Sequence, residues 1–270
     1  MLTYPNIDPV ALSLGPVKVH WYGLMYLLAF LCAWGLASYR AKQRDGWTAD
    51  MVSDLVFYGA LGVVLGGRIG YVLFYEFGKF LEHPLWLFQV WTGGMSFHGG
   101  FLGVMIAMLF WCKKYQKTWF QTLDFIAPCV PTGLMFGRIG NFIGGELYGR
   151  QVQDPSYPFG MIFPTDRLGL VRHPSQIYQA LCEGLILFII LWWFSAKPRP
   201  RMAVSALFLM GYGVARFFME FFRQPDADQG FILFGWMTKG QILTVPMLLI
   251  GLWMMWYAYQ KKIYDWQIKK

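Results

Sequence analysis

Charge is scarce in this chain. Of 270 residues only 14% are Asp, Glu, Lys or Arg, while 56% are hydrophobic and 19% aromatic. A soluble domain carries about 25% charged residues, so this composition excludes a water-soluble globule of this length and leaves a polytopic membrane protein. Cysteine is scarcer still: Cys32, Cys112, Cys129 and Cys182 lie scattered in apolar sequence without a CxxC pair. That pattern excludes a disulfide framework and a zinc site, and the four read as packing residues. No His and carboxylate spacing suggests a metal site, no serine sits in a nucleophile elbow, and no aspartate-rich motif supports metal-dependent phosphoalcohol chemistry. No metal or cofactor is expected.

Long apolar runs are abundant. Seven spans of about 20 residues, enough for a ~30 Å hydrocarbon core, can be drawn near 18–39, 51–75, 94–112, 119–141, 175–195, 203–222 and 238–260. The fold expected is an all-α integral membrane protein, a single seven-helix transmembrane domain over residues 1–270. A small periplasmic insertion is expected at 142–174, where Pro155, Pro158, Pro164 and Pro174 suggest an ordered piece instead of a free linker. No basic residue precedes Lys18, and the first run ends at Ser38-Tyr39-Arg40 with a basic flank after it, so it is expected to be retained and not cleaved as a signal peptide.

Basic residues recur at every second connection: Arg40, Lys42 and Arg44; Lys113, Lys114 and Lys117; Lys197, Arg199 and Arg201; Lys261, Lys262, Lys269 and Lys270. Basic loops stay cytoplasmic, so the N-terminus is expected in the periplasm and the C-terminus in the cytoplasm. The formal charge of +8 is a topological signal with some attraction to anionic lipid headgroups, and nucleic-acid binding is a poor reading of it.

On this topology the unusual polar residues gather at one depth. Arg68 lies late in span two, Arg138 and Asn141 end span four, Arg216 and Glu220 lie in the outward part of span six, and Glu183 sits about two turns into span five. His20, Tyr22 and His98 begin spans one and three from the same side, whereas Asp54 and Asp124 open helices from the cytoplasmic side. A mid-bilayer arginine costs about 2.5 to 3.5 kcal/mol on the insertion scale, so three of them call for a compensating anion. An anion or lipid transporter would spread polar groups across several depths. Clustering favours a site facing the outer leaflet.

The motifs refine that reading. Gly67-Arg68-Ile69-Gly70 and Gly137-Arg138-Ile139-Gly140 share a signature, and Gly62, Gly66 and Gly70, like Gly133 and Gly137, have the small-xxx-small spacing of close helix packing. Arg138 and Asn141, three apart, share a helix face, and Gly144-Gly145 should end the helix and let Glu146 turn back toward Arg138. A buried Arg138–Glu146 pair is one expectation; an i,i+4 pair of Arg216 with Glu220 is another. Guanidinium matches phosphate oxygens bidentately, so Arg138 and Arg216 are candidates to clamp one phosphate, with Arg68 a third cation for it. His98, flanked by Gly99 and Gly100, has an imidazole able to accept a proton near neutral pH, with glycines that admit a bulky reactant.

Taken together, His98-Gly99-Gly100, Arg138 to Gly149, Tyr22 in His-Trp-Tyr-Gly, and Tyr212 with Arg216 and Glu220 resemble the prolipoprotein diacylglyceryl transferase family, from about His20 to Gln224. One departure is visible: Gly144 stands where the family usually has a second Asn. The resemblance implies transfer of the diacylglyceryl group of phosphatidylglycerol to the lipobox cysteine thiol of a prolipoprotein signal peptide, giving a thioether and glycerol phosphate in a bacterial inner membrane. It implies His98 or Tyr22 as the group that handles the thiol proton, Arg138 and Arg216 as stabilisers of the leaving phosphate, and Asn141, Glu146, Gly149, Gly99, Gly100, Tyr212, Glu220 and Arg68 as substrate-binding. Membrane lipids are expected as surroundings, and the chain is expected to act as a monomer.

Overall fold

The computed structural model describes residues 2–5, 7–15, 17–154, 156–224 and 232–268. The chain is mostly helical: α1 (Trp21–Lys42), α2 (Ala49–Tyr75), α3 (Phe77–Glu82), α4 (Phe97–Tyr115), α5 (Trp119–Ile126), α6 (Val130–Ile143), α7 (Ser175–Gln179), α8 (Leu187–Phe194), α9 (Ala203–Met219) and α10 (Lys239–Lys261). A π-helical segment, Ala180–Ile186, joins α7 to α8 without a break. Among the described residues, Trp21–Lys42, Ala49–Tyr75, Ser175–Phe194 and Lys239–Lys261 are long and apolar enough to cross a membrane, and Ala203–Met219 is a shorter apolar helix.

Three features depart from uninterrupted helical spans. Residues 119–141 are divided by a 3-10 turn at Ala127–Cys129. Pro128 cannot supply an N–H to a continuing helix, and Pro131 instead occupies the first turn of α6, where no donor is missed. Residues 18–20 are not helical: β1 (Val10–Leu14) and β2 (Val17–His20) form an antiparallel hairpin with Leu12 opposite Val19, and α1 begins only at Trp21. The fold is therefore not purely α, since β3 (Met161–Ile162) and β4 (Val171–Arg172) form a second two-stranded sheet.

The chain packs as two compact units, residues 36–122 with 268–270 and residues 1–35 with 123–267. No break in composition marks that division. The first unit is built on α2 against α4. A Cβ on Gly62 would lie 2.7 Å from the Gly103 carbonyl oxygen and 2.8 Å from Val104 Cα, and one on Gly70 would lie 2.6 Å from Gly99 Cα, so glycine alone lets these backbones meet. Thr48 and Ser96 cap the two helices, accepting from Met51 N and Gly99 N at 3.2 Å each. Trp111 donates to the Met51 carbonyl at 3.1 Å, and Asp54 accepts from both Lys114 and Tyr115.

In the second unit α9 packs along α10, and Ala127, Leu187, Leu191 and Val204 form an apolar core beside Phe194, Leu207 and Phe208. Asp124 does not open a helix. It lies near the end of α5 and accepts from Met202 N at 2.7 Å and Ser205 N at 2.8 Å, so its carboxylate caps α9. Beyond the end of α6 the described residues of 144–174 hold no helix, and their backbone groups pair across the segment: Gly149 N donates to the His173 carbonyl and Val152 N to the Val171 carbonyl, each at 2.8 Å. Tyr4 donates its hydroxyl to the carbonyls of Phe142 at 2.7 Å and Ile143 at 3.0 Å, closing the end of α6.

The glycine seam yields a stability prediction. Gly62→Ala should cost about 1 to 3 kcal/mol, because a methyl group there meets backbone that cannot rotate away. Gly59→Ala, with nothing within 4 Å of its Cβ, should be neutral or slightly stabilising. Melting of the two variants in detergent decides it; equal melting would mean that α2 and α4 do not depend on this contact.

Candidate functional site

Three segments of the second unit meet at close quarters: α6, the π segment and α9. Between α6 and the π segment the reason is again glycine, since a Cβ on Gly184 would lie 2.6 Å from Met135 Cβ and 3.0 Å from Met135 Cα; on α9, Gly211 lies against Leu187 at the start of α8, with its Cβ position 2.5 Å from Leu187 Cδ1. The wider π turn carries Glu183, and such turns recur where a helix must re-aim a side chain. Glu183 is completely buried.

The charges converge there. Arg138 Nη2 lies 3.5 Å from Glu183 Oε2, and Arg216 Nη1 lies 3.5 Å from Glu183 Oε1, so two arginines from different helices flank opposite oxygens of one carboxylate. Neither oxygen of Glu183 has an aligned hydrogen bond among the described residues, which leaves charge attraction as the contact. Arg216 also lies 2.9 Å from Glu220 Oε2, the expected i,i+4 pair, and 3.4 Å from Gln179 Oε1. Glu220 in turn sits 3.5 Å from Arg223 and against Gly240 at the start of α10, where a Cβ would lie 2.8 Å from its carboxyl carbon. The side chains of Arg138 and Arg216 keep 20% and 13% of their surface open, against none for Glu183.

Arg138 does not pair with Glu146. The helix ends as expected, with Gly145 at φ 66 and Glu146 N bonded to the Asn141 carbonyl at 2.9 Å, but the Glu146 side chain is exposed and folds back beside Gly144. Its main chain is held by Gln176, which donates to the Glu146 carbonyl at 2.6 Å. Asn141 is buried on the helix face of Arg138. Tyr22 packs edgewise onto α6, 3.0 Å from where a Gly140 Cβ would be, and its hydroxyl is 3.4 Å from that of Tyr26. Tyr212 stacks on Phe208 one turn before Arg216.

Gly149 is crowded by backbone: a Cβ there would lie 2.5 Å from the Phe222 carbonyl oxygen and 2.6 Å from that of His173. It holds the segment after α6 against the end of α9, where Arg150 donates to the carbonyls of Arg223 at 2.9 Å and Glu220 at 3.2 Å. Gly133 and Gly137 make no such close approach among the described residues, because the nearest contact of either is Ala29 Cβ at 3.9 Å.

In the other unit, Arg68 is buried with its fork turned onto its own following loop. It donates to Trp86 O at 2.7 Å, to Leu87 O at 3.0 Å and to the Gly93 and Gly94 carbonyls, and it covers the Trp86 ring at 4.4 Å. That loop leads to Ser96 and to His98, an exposed side chain in the first turn of α4 whose ring meets Phe97 edge-on. Gly99 and Gly100 are buried in the α2–α4 seam, so their lack of a side chain serves helix packing.

Sequence reasoning left Glu183 without a role. The available signal was its isolation, a single carboxylate in the apolar run 175–195.

A profile of the prolipoprotein diacylglyceryl transferase family matches residues 9–257. The chain belongs to that family. It is 93% identical, over its full length and 99% of the relative's, to the phosphatidylglycerol–prolipoprotein diacylglyceryl transferase of Acinetobacter baumannii. The enzymes of that name from Acinetobacter baylyi and Psychrobacter arcticus are 88% and 61% identical, each covering 98% of this chain and 97% and 98% of their own lengths.

Asp166 and Arg172 organise the 142–174 segment: Arg172 donates to the two carboxylate oxygens at 2.6 and 3.2 Å and lies over the Tyr148 ring at 4.7 Å. The hydrogen bonds from Arg172 hold the Asp166 carboxyl below its ordinary range. A carboxylate depressed in the folded state adds stability that is complete above its unfolded value of about 3.9 and disappears as the pH falls through the folded value. Melting should therefore drop on acidification below about pH 4, and Asp166→Asn should be less stable at pH 7 with a smaller acid-induced loss. Parallel pH profiles for the two proteins would contradict the pairing.

Proposed function

We propose that this chain transfers the diacylglyceryl group of phosphatidylglycerol to the thiol of a lipobox cysteine, the first step in making a bacterial lipoprotein. The observation that carries the reading is the meeting of Arg138 and Arg216 on one buried carboxylate 3.5 Å from each, within a chain of this family. Two guanidinium groups on partly open side chains suit a phosphate, and the names of the relatives supply the donor and acceptor.

The sulfur is the nucleophile. A free thiol has a pKa of about 8.5, so a base that takes its proton raises the thiolate fraction at neutral pH. His98 is assigned that role on its imidazole and its His-Gly-Gly context, with Tyr22, packed on the helix of Arg138, as the alternative carrier. The thiolate displaces the phosphate from the terminal glyceryl carbon: the carbon–sulfur bond forms, the carbon–oxygen bond breaks, and its electron pair leaves on the glycerol phosphate. Arg138 and Arg216 stabilise the charge that gathers on that phosphate. Asn141 and Tyr212 line the approach to it, Glu220 anchors Arg216, and Gly149 keeps Arg150 and the end of α9 in register. Glu146 holds the turn after α6 and faces outward to the headgroup. Arg68, through the loop carbonyls it clasps, sets the entry to His98, and Gly99 and Gly100 fix the first turn of α4.

The chain is proposed to cross the bacterial inner membrane seven times, by α1, α2, α4, α5 with α6, α7 to α8, α9 and α10, as a monomer among membrane lipids. The alternation of basic loops supports a periplasmic N-terminus and a cytoplasmic C-terminus. Residues 142–174 then face the periplasm.

Purified protein with phosphatidylglycerol and a lipobox peptide should yield the diacylglyceryl peptide by mass spectrometry; absence of product under a range of active conditions would refute the assignment. Arg138→Gln and Arg216→Gln should each lower kcat by about 10²-fold or more, the scale of losing one preorganised charge stabiliser. His98→Ala should be inactive, and full activity there would move the base to Tyr22.

A further inference from the structure

A chemical asymmetry in the proposed reaction gives Glu183 a purpose. The phosphodiester of phosphatidylglycerol carries one negative charge, while the glycerol phosphate released is a monoester that carries about 1.5 to 2 at neutral pH. An arginine pair that favours charge accumulation therefore also favours keeping the product. A carboxylate fixed against the same two guanidinium groups opposes that retention.

The geometry points to Glu183 as an internal counter-anion that sets product release, an inference resting on the transferase reading. It touches both arginines at 3.5 Å, on opposite oxygens, and is completely buried. Its oxygens make no aligned hydrogen bond among the described residues, and its ion pairs there are with these two arginines. A buried ion pair often adds no stability over apolar packing of similar volume, so the position is explained by what the carboxylate does to the arginines. Glu220 does not duplicate it, since it meets Arg216 but is not paired with Arg138. As the phosphate departs, Glu183 is the anion to which both guanidinium groups return. It is a positioning and charge-balancing residue and does not touch the reacting atoms.

The test is Glu183→Gln in detergent-solubilised full-length protein. Calorimetric titration with glycerol phosphate should show binding at least about tenfold tighter than native, the scale of deleting one charge contact in a shielded site. Inorganic phosphate should follow, whereas KM for phosphatidylglycerol should change less and kcat should fall through slower release. Glu183→Asp, which keeps the charge on a shorter stem, should bind glycerol phosphate within about threefold of native. Native or weaker binding by the Gln variant would overturn the role, as would a tenfold gain in the Asp variant, which carries the test if the Gln variant does not fold. The titrations do not depend on turnover: a protein that binds glycerol phosphate as described but forms no thioether would refute the transferase reading and leave Glu183's control of the anion standing.

Discussion

One carboxylate between two guanidinium groups is the constraint around which this unit is built. Charges shielded from water attract strongly only when placed well, and Glu183 reaches Arg138 and Arg216 because three segments come closer than ordinary side chains permit. Gly184 admits Met135 of α6, Gly211 admits Leu187, and the π turn aims the carboxylate between the two arginines. A methyl group at Gly184 would meet the Met135 backbone and push apart the segments that carry Glu183 and Arg138. Packing and electrostatics are thus the same requirement here, because the glycine contacts set the charge spacing.

Support extends outward from that point by backbone groups. Gly149 threads between the carbonyls of His173 and Phe222, Arg150 holds the carbonyls of Glu220 and Arg223 just after α9, and the Asp166–Arg172 pair stiffens the loop that returns to α7. Glu220 ties Arg216 to the beginning of α10. None of these contacts needs an anion to be present, so the arginines are positioned before any ligand arrives, and the cost of ordering them falls on folding.

Much of this could be read from the chain. Apolar length marked the helical segments, the 3-residue spacing placed Arg138 and Asn141 on one face, and the 4-residue spacing gave the Arg216–Glu220 pair. What escaped was tertiary or depended on irregular backbone. Glu183 lies 45 residues after Arg138, and no local periodicity aims it there; the π turn that does so has no simple sequence signature. Glu146 looked like the partner because it was near in sequence, but the αL conformations of Gly145 and Leu147 direct its main chain to Gln176 and leave its side chain outside. The hairpin of residues 10–20 escaped because Val17 and Val19 read equally well as the start of an apolar helix.

The two Gly-Arg-Ile-Gly segments show why a shared signature does not fix a shared role. Arg68 sits in a helix that continues to Tyr75, and the chain then returns through residues 83–94, presenting carbonyl oxygens to all sides of the guanidinium. Its charge is dispersed over neutral acceptors and stays buried. Arg138 sits in a helix that stops at Ile143, five residues on, with glycines after it. Its charge meets the buried carboxylate of Glu183, and its side chain keeps 20% of its surface open. The same arginine in the same local helix becomes a clasp in one place and a candidate anion hold in the other, and the difference comes from what the chain after each helix brings back to it.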